Sequence, residues 1–86
     1  MNSRDSRFVD LLNENYTWPC PFPFKFIVPV ERLDELKGLF PDENHACRPS
    51  RTGKYVSVSF SKSMRSSEEV VQVYNRVGSI EGVICL

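Results

Sequence analysis

The stretch RTGKYVSVSFSKS, Arg51 to Ser63, decides the fold of this chain. From Tyr55 to Ser61 polar and apolar side chains alternate without a break. One set reads Tyr55, Ser57, Ser59 and Ser61, and the other reads Val56, Val58 and Phe60. A period of two predicts a β-strand, because successive side chains of a strand point to opposite faces. The apolar set must pack on a core, which leaves the tyrosine-and-serine set for water, a partner or a ligand.

The residues before this strand predict a hairpin. Arg51-Thr52-Gly53-Lys54 has the composition of a turn, with Gly53 supplying the unusual backbone angle. Residues 42–50 are expected to form the preceding strand. Its place is at a sheet edge, where Pro49 is tolerated because no partner needs its missing N–H.

The residues after the strand predict a capped helix and a last strand. Ser66 and Glu69 fit a capping box, in which each side chain bonds a backbone N–H at the helix start. The apolar stripe of this helix is Val70, Val73, Tyr74 and Val77. Gly78 suits its end, and residues 82–86 are expected to form the final strand.

Upstream, another strand and helix are expected. Phe24–Val28 predicts a core strand that ends before Pro29, since proline cannot donate to a strand ladder. Glu31–Phe40 predicts a helix with an apolar stripe, and Pro41 stops it. No Ser, Thr, Asp or Asn stands at the start of this helix, so its first turn lacks a side-chain cap.

The element order is β-α-β-β-α-β, which predicts an α+β, ferredoxin-like sandwich. Such a fold has a four-stranded antiparallel sheet with two helices on one face and the other face open. Residues 22–86 are expected to form this domain. Residues 1–21 are expected to form an N-terminal arm, with a short amphipathic helix over residues 6–15 and then a proline-rich, extended connection.

Length and composition narrow the class of protein. A chain of 86 residues forms one domain with a small core. Eleven basic and eleven acidic residues give a net charge of zero, whereas nucleic-acid-binding proteins usually carry a basic excess. Three cysteines with no CxxC pair argue against a disulfide framework. We expect a cytoplasmic protein with reduced thiols, no signal peptide and no membrane segment.

Three segments together resemble the YbeD-like family of small bacterial proteins. They are PFPFKFIVP at residues 21–29, RTGKYVSVSF at residues 51–60 and GVICL at residues 82–86. The resemblance covers roughly residues 16–86. Sequences of the family often have a polar helix cap after the first strand, where Val30 stands here.

The resemblance implies a ferredoxin-like fold, similar to the ACT-type domains that bind small regulatory molecules. It also implies a regulatory role, which has been linked to lipoate metabolism for the family. It supplies no catalytic residues that can be transferred to this chain.

Motifs for catalysis or metal binding are lacking in the sequence. There is one histidine, and neither a nucleophile elbow, a glycine-rich loop nor HExxH occurs. His45 and Cys47 are expected to share a strand face, but a zinc site needs three or four ligands. Cys20 and Cys85 are not placed to complete one. We expect no metal, no cofactor and no enzymatic activity.

An anion site is an alternative at the start of the second helix. Lys62, Arg65, Ser66 and Ser67 lead into a helix N-terminus, whose free amides and dipole favour a phosphate. Glu68 and Glu69 would repel that anion. Capping by Ser66 is therefore the favoured interpretation.

RNA binding is the second alternative, because RNA recognition motifs share the predicted fold. Their third strand carries several aromatic residues on the open face for stacking bases. This chain keeps Arg51, Tyr55 and Val56 of that pattern, but Val58 stands where another aromatic residue belongs. Nucleic acid is therefore not the expected partner.

The open sheet face is the predicted binding surface, for a protein partner or a second copy of the chain. Tyr and Ile anchors beside adaptable serines are typical of protein interfaces. The predicted contacts are Lys25, Ile27, Tyr55, Ser57 and Ser59 on the face, with Arg48, Arg51 and Lys54 around the hairpin. A small-molecule sensor using the loop at residues 29–32 is the alternative. That loop lacks the glycine by which ACT domains let a ligand approach.

Overall fold

The sheet joins four strands in the order β2-β3-β1-β4, and every neighbouring pair is antiparallel. A computed structural model describes the backbone from Ser3 to Leu86 and the side chains from Arg7 onward. The helices are α1 (Ser3–Asn15), α2 (Leu33–Leu39) and α3 (Ser67–Val77), and a 3-10 turn (Val30–Arg32) precedes α2. The strands are β1 (Cys20–Pro29), β2 (Ala46–Pro49), β3 (Tyr55–Met64) and β4 (Ile84–Cys85). The chain is therefore an α+β protein with a four-stranded antiparallel sheet.

The core lies on one face of this sheet. β1 and β3 pair along their whole length, from Cys20 opposite Met64 to Pro29 opposite Tyr55. Their even-numbered side chains point to the helices, and most of them are buried: Phe22, Phe24, Phe26, Val28, Val56, Val58, Phe60 and Met64. The alternation that the sequence showed in β3 is thus confirmed, and the strand continues three residues beyond the predicted Ser61.

β1 is longer than predicted at both ends. It begins at Cys20 rather than Phe24, and it includes Pro29, so the prediction that pairing ends before this proline is wrong. Pro21 also lies within the strand, where an extended connection outside the sheet was expected.

Hydrogen-bond direction explains why proline is tolerated here. Next to the end of β1, Val30 N donates to Lys54 O, which lies next to β3. On the opposite side of β1, Lys25 O accepts from Leu86 N, which lies next to β4. Backbone groups alternate in direction along a strand, so even-numbered residues of β1 bond β3 and odd-numbered ones face β4. The strand prolines are Pro21, Pro23 and Pro29. All three are odd-numbered, so the missing N–H groups cost the β1–β3 ladder nothing.

α1 packs against the sandwich. Leu12 is buried in the same apolar cluster as β1 and β3, and the ring of Phe8 meets that of Tyr74 edge-on at 5.5 Å. The helix begins earlier than the predicted residue 6, and the first two residues of the predicted arm lie outside the described part. After the helix, Trp18 stacks on Tyr16 and donates from Nε1 to Asn13 Oδ1 at 2.9 Å.

The remaining predictions for local structure are confirmed with small changes. α2 has no side-chain cap, and its first turn is the 3-10 segment. β2 is a strand at the sheet edge, as expected for residues 42–50, but it is shorter than that segment. Gly53 has a φ of 76°, the left-handed conformation that the hairpin turn requires.

The ends of α3 are as predicted, but the capping box is only half formed, because the Glu69 carboxylate accepts from Arg65 N and not from Ser66 N. The backbone N of Glu69 donates to Ser66 Oγ at 3.2 Å, and Gly78 is the C-cap. β4 is shorter than the predicted 82–86, because Gly82 adopts a φ of 81° and bends the chain before the strand starts.

Candidate binding surface

The face of the sheet opposite the helices is a continuous surface, which we call the open face. Strand register assigns its residues: the odd-numbered positions of β1 and β3, the even-numbered positions of β2, and Ile84 with Leu86 at β4. The open face comprises Pro21, Pro23, Lys25, Ile27, Pro29, Ala46, Arg48, Tyr55, Ser57, Ser59, Ser61, Ser63, Ile84 and Leu86. The five face residues predicted from the sequence therefore lie together, and Arg48 joins them from β2.

Exposed apolar side chains are concentrated on the open face. Ile84 is 49% exposed, Leu86 59% and Tyr55 44%, and Ile84 lies directly opposite Ile27 in the pairing of β4 with β1. Burying such side chains against a partner removes apolar area from water, which is the main favourable term in association. The open face is thus the strongest candidate for a contact surface.

Ile84 and Leu86 were missed by sequence reasoning. The segment GVICL is apolar at nearly every position, so its periodicity does not show which side faces the core. In the structure Val83 and Cys85 are half-buried and the other two side chains are exposed. Only the pairing partner of β4 settles this orientation.

Two shallow hollows lie on the open face. The larger, of about 490 Å³, is lined by Lys25 beside Pro23, Ser59 and Leu86. The smaller, of about 190 Å³, is lined by Arg48 with Ile27 and Tyr55. Each hollow therefore combines one cation with apolar side chains.

The open face carries basic side chains with no aspartate or glutamate side chain beside them in the described part of the sheet. The side-chain ion pairs are Arg32 with Glu35 and Glu81, Lys62 with Glu43, and Arg65 with Glu69. Between residues 7 and 86, no ion pair includes Lys25 or Arg48, and no Asp or Glu occupies an open-face position of the register. The charged side chains at the described open-face positions are therefore basic, although the net charge of the chain is zero.

The hairpin cations lie at one end of this surface. Arg51 and Lys54 are exposed in the turn that follows β2. Ser50 forms two hydrogen bonds with Tyr55 across the hairpin. Its backbone N donates to Tyr55 O at 2.8 Å, and its Oγ accepts from Tyr55 N at 3.2 Å. These bonds hold Tyr55 where β3 leaves the turn.

The side chains of the predicted anion site lie close together, but each has a partner inside the chain. Lys62 Nζ donates to Glu43 Oε2 at 2.9 Å, and Arg65 bonds both carboxylate oxygens of Glu69, at 3.0 and 3.1 Å. Ser66 caps α3, which confirms the capping interpretation. Ser67 is buried and donates to Glu68 Oε1. The anion site itself stays a prediction.

Glu69 has a lowered pKa because of its contacts with Arg65. The backbone N–H of Arg65 and then its guanidinium bond the carboxylate, which holds the pKa of Glu69 below its ordinary value. The same carboxylate lies in the first turn of α3, where a negative charge is favourable to the helix.

His45 and Cys47 do not form a metal site. The imidazole of His45 packs edge-on against Phe60 at 5.4 Å, while Cys47 is exposed and pairs with Val58 in the sheet. Over the residues that the structure describes, no three His, Cys, Asp or Glu side chains stand close enough together to hold a metal ion.

The loop at residues 29–32 is held by ion pairs of Arg32 and by a close contact between Pro29 and Gly82, although Val30 is 49% exposed. Arg32 bonds Glu35 and Glu81 at 3.3 and 3.4 Å. Gly82 approaches so closely that a Cβ there would lie 2.7 Å from Pro29 Cγ. A glycine does meet this loop, but the ring of Pro29 already occupies the space that its missing side chain leaves. No helix found in residues 3–86 is both long and apolar enough to cross a membrane.

Fold and surface together define a small α+β protein with an open antiparallel sheet. The family model described as "Protein of unknown function (DUF493)" matches residues 13–86, so the chain belongs to that family. Two relatives from Vibrio vulnificus, the UPF0250 proteins VV0902 (strain YJ016) and VV1_0282 (strain CMCP6), are each 31% identical to it. Each alignment covers 90% of this chain and 87% of the relative. The resemblance to the YbeD-like family is thereby confirmed. No solved structure matches the chain.

Proposed function

We propose that this protein is a non-enzymatic regulatory or adaptor domain that binds a protein through the open face. The observation that carries the proposal is the group of exposed apolar side chains at Tyr55, Ile84 and Leu86, on a sheet face that no helix covers. Exposed apolar patches of this kind mark interaction sites in soluble domains. The strand order β4-β1-β3-β2 supports a ferredoxin-like classification, since it is the order expected of a β-α-β-β-α-β sandwich.

The edges of the sheet are poorly suited to binding, which supports a role for the face. At Pro21 and Pro23 the missing N–H would point to the side of β1 away from β3, along a part of β1 that β4 does not reach. Ser50 N bonds β3, so the neighbouring Pro49 faces outward from the opposite edge. Proline at such positions blocks the addition of another strand.

The residues of the surface take different roles in this proposal. Tyr55 and Ile27 are the apolar anchors predicted from the sequence, and Ile84 and Leu86 extend them across β4. The hydroxyls of Ser57 and Ser59 supply adaptable hydrogen bonds. The cations that contact the partner are Lys25, Arg48, Arg51 and Lys54. The free thiols of Cys20 and Cys47 support a location in the cytoplasm.

Light scattering over a range of concentrations tests the proposal first, on wild type and on Tyr55→Ala. If a wild-type dimer dissociates in the variant, the face binds a second copy.

If both are monomers, binding of another protein is tested with Ile84→Ser. Leu11→Ser is the matched control, because Leu11 is 56% exposed on α1, away from the sheet. Equal binding by both serine variants would contradict the proposal.

A small-molecule sensor at residues 29–32 is the alternative that the family resemblance suggests. The internal ion pairs of Arg32 and the contact of Gly82 with Pro29 favour a packed loop instead. A thermal-shift screen against metabolites separates the two functions, because a ligand that binds the folded state raises the melting temperature by mass action.

A further inference from the structure

We infer that the partner of the open face is a protein segment that presents carboxylates beside apolar side chains, and not a second copy of this chain. The inference rests on the proposed function and specifies the chemistry of the partner. It comes from the two hollows, each of which sets apolar side chains beside one cation that forms no ion pair among residues 7–86.

The two cations define a spacing for the acidic groups. Lys25 lies on β1 opposite Ser59, and Arg48 lies on β2 opposite Ser57. Strand β3 therefore lies between the two cations, and their positions along the strands differ by two residues. Strand spacings of about 4.8 Å and a rise of about 3.4 Å per residue place their Cα atoms about 12 Å apart. A partner with carboxylates near these two positions, polar groups opposite Ser57 and Ser59, and apolar side chains opposite Ile27 and Ile84 would complement the surface.

A symmetric pair of copies does not fit this charge pattern. Lys25 lies on one of the two central strands, so a two-fold axis through the middle of the face would bring it close to its own counterpart. Neither copy has an open-face Asp or Glu to offset the repulsion, within the part of the chain that is described. Like charges brought together at an interface are costly, and they are one means by which proteins reject wrong partners.

Nucleic acid would also satisfy the cations, but it does not suit the rest of the surface. Single strands bind by stacking bases on aromatic rings, and Tyr55 is the one aromatic residue on the open face. The other apolar side chains, Ile27, Ile84 and Leu86, are aliphatic. They match the apolar side chains of a protein rather than the faces of bases.

A displayed library of random 16-residue peptides tests the inference, with the folded full-length chain as the target. Selected peptides are compared on wild type and on Lys25→Glu/Arg48→Glu. The control is Lys37→Glu/Arg76→Glu, which makes the same change in net charge at exposed positions on α2 and α3. We expect peptides with more Asp and Glu than Lys and Arg, and at least tenfold weaker binding to the first variant than to the control.

The outcomes separate the inference from the proposed function. If no peptide loses affinity with Ile84→Ser or Tyr55→Ala, the proposed function fails. The inference alone fails if the peptides depend on Ile84 but have no acidic excess, or bind both charge variants equally. It also fails if the wild type forms a dimer that Tyr55→Ala dissociates. If a labelled oligouridine binds more tightly than the peptides, and Tyr55→Ala abolishes this binding, the partner is RNA and not a protein segment.

Discussion

The two faces of the sheet come from the same strands, yet they differ in almost every physical respect. On the helix side Phe26, Val28 and Val58 are completely buried, and rings pack against one another from Phe22 to Phe60. On the other side, one residue away along each strand, Tyr55 is 44% exposed and serines alternate along β3. Substitutions on the helix side are therefore expected to lower stability, whereas substitutions at the adjacent open-face positions are expected to weaken binding.

The largest effect is expected from Phe26→Ala on the buried face. Removing a fully buried ring from a packed core costs about 3 to 5 kcal/mol of unfolding free energy, a large part of the stability of a small domain. Urea denaturation followed by circular dichroism measures it. A loss below about 1 kcal/mol would show that the stability of the domain does not depend on the buried face as described.

Ile84→Ser should show the reverse behaviour. The side chain is half exposed, so the unfolding free energy should change by less than about 1 kcal/mol. Binding through the open face should weaken at least tenfold, because one of its exposed apolar contacts is lost. Fluorescence anisotropy with a selected peptide measures the affinity. Unfolding of the variant together with unchanged affinity in the folded fraction would contradict the assignment.

The edge of the sheet offers a third test, in the double variant Pro21→Val/Pro23→Val. The β1–β3 ladder should persist, while the new N–H groups point outward and open an edge to another molecule. We expect faster aggregation by light scattering, with little change in unfolding free energy. Pro41→Val, outside the sheet, is the control. Equal aggregation of the two variants would mean that the prolines do not protect this edge.

The smallest effect is expected at the start of α3, in Glu69→Gln. Since the folded pKa of Glu69 is lowered, its charge stabilises the fold above the ordinary glutamate pKa of about 4.3, and this contribution is lost as the pH falls through the folded pKa. The variant should be slightly less stable at pH 7 and equal to wild type at the lowest pH. Thermal unfolding across pH measures this difference. A constant difference at every pH would rule out the charge as its cause, and open-face binding should not change.

Local pattern was sufficient for much of this structure. The alternation in Tyr55–Ser61 predicted the buried and exposed sides of β3, and Ser66 with Glu69 predicted the start of α3. Gly53 predicted the hairpin turn. Each of these features depends on neighbours within a few residues, so the sequence contains the whole physical cause.

The candidate site was predictable only in part. Lys25, Ile27, Tyr55, Ser57 and Ser59 follow from strand parity. That Arg48 shares their face depends on the register between β2 and β3, which no local pattern encodes. The grouping of cations without carboxylates is likewise a property of the assembled sheet.

The sequence by itself determined the order of the strands and helices of the sandwich, and which side of β3 is apolar. Only the tertiary structure decided that β1 runs through its prolines and that Ile84 lies exposed opposite Ile27. The reason is that periodicity is encoded along the chain, whereas the direction of a backbone hydrogen bond and the outward side of an apolar strand depend on the neighbouring strand.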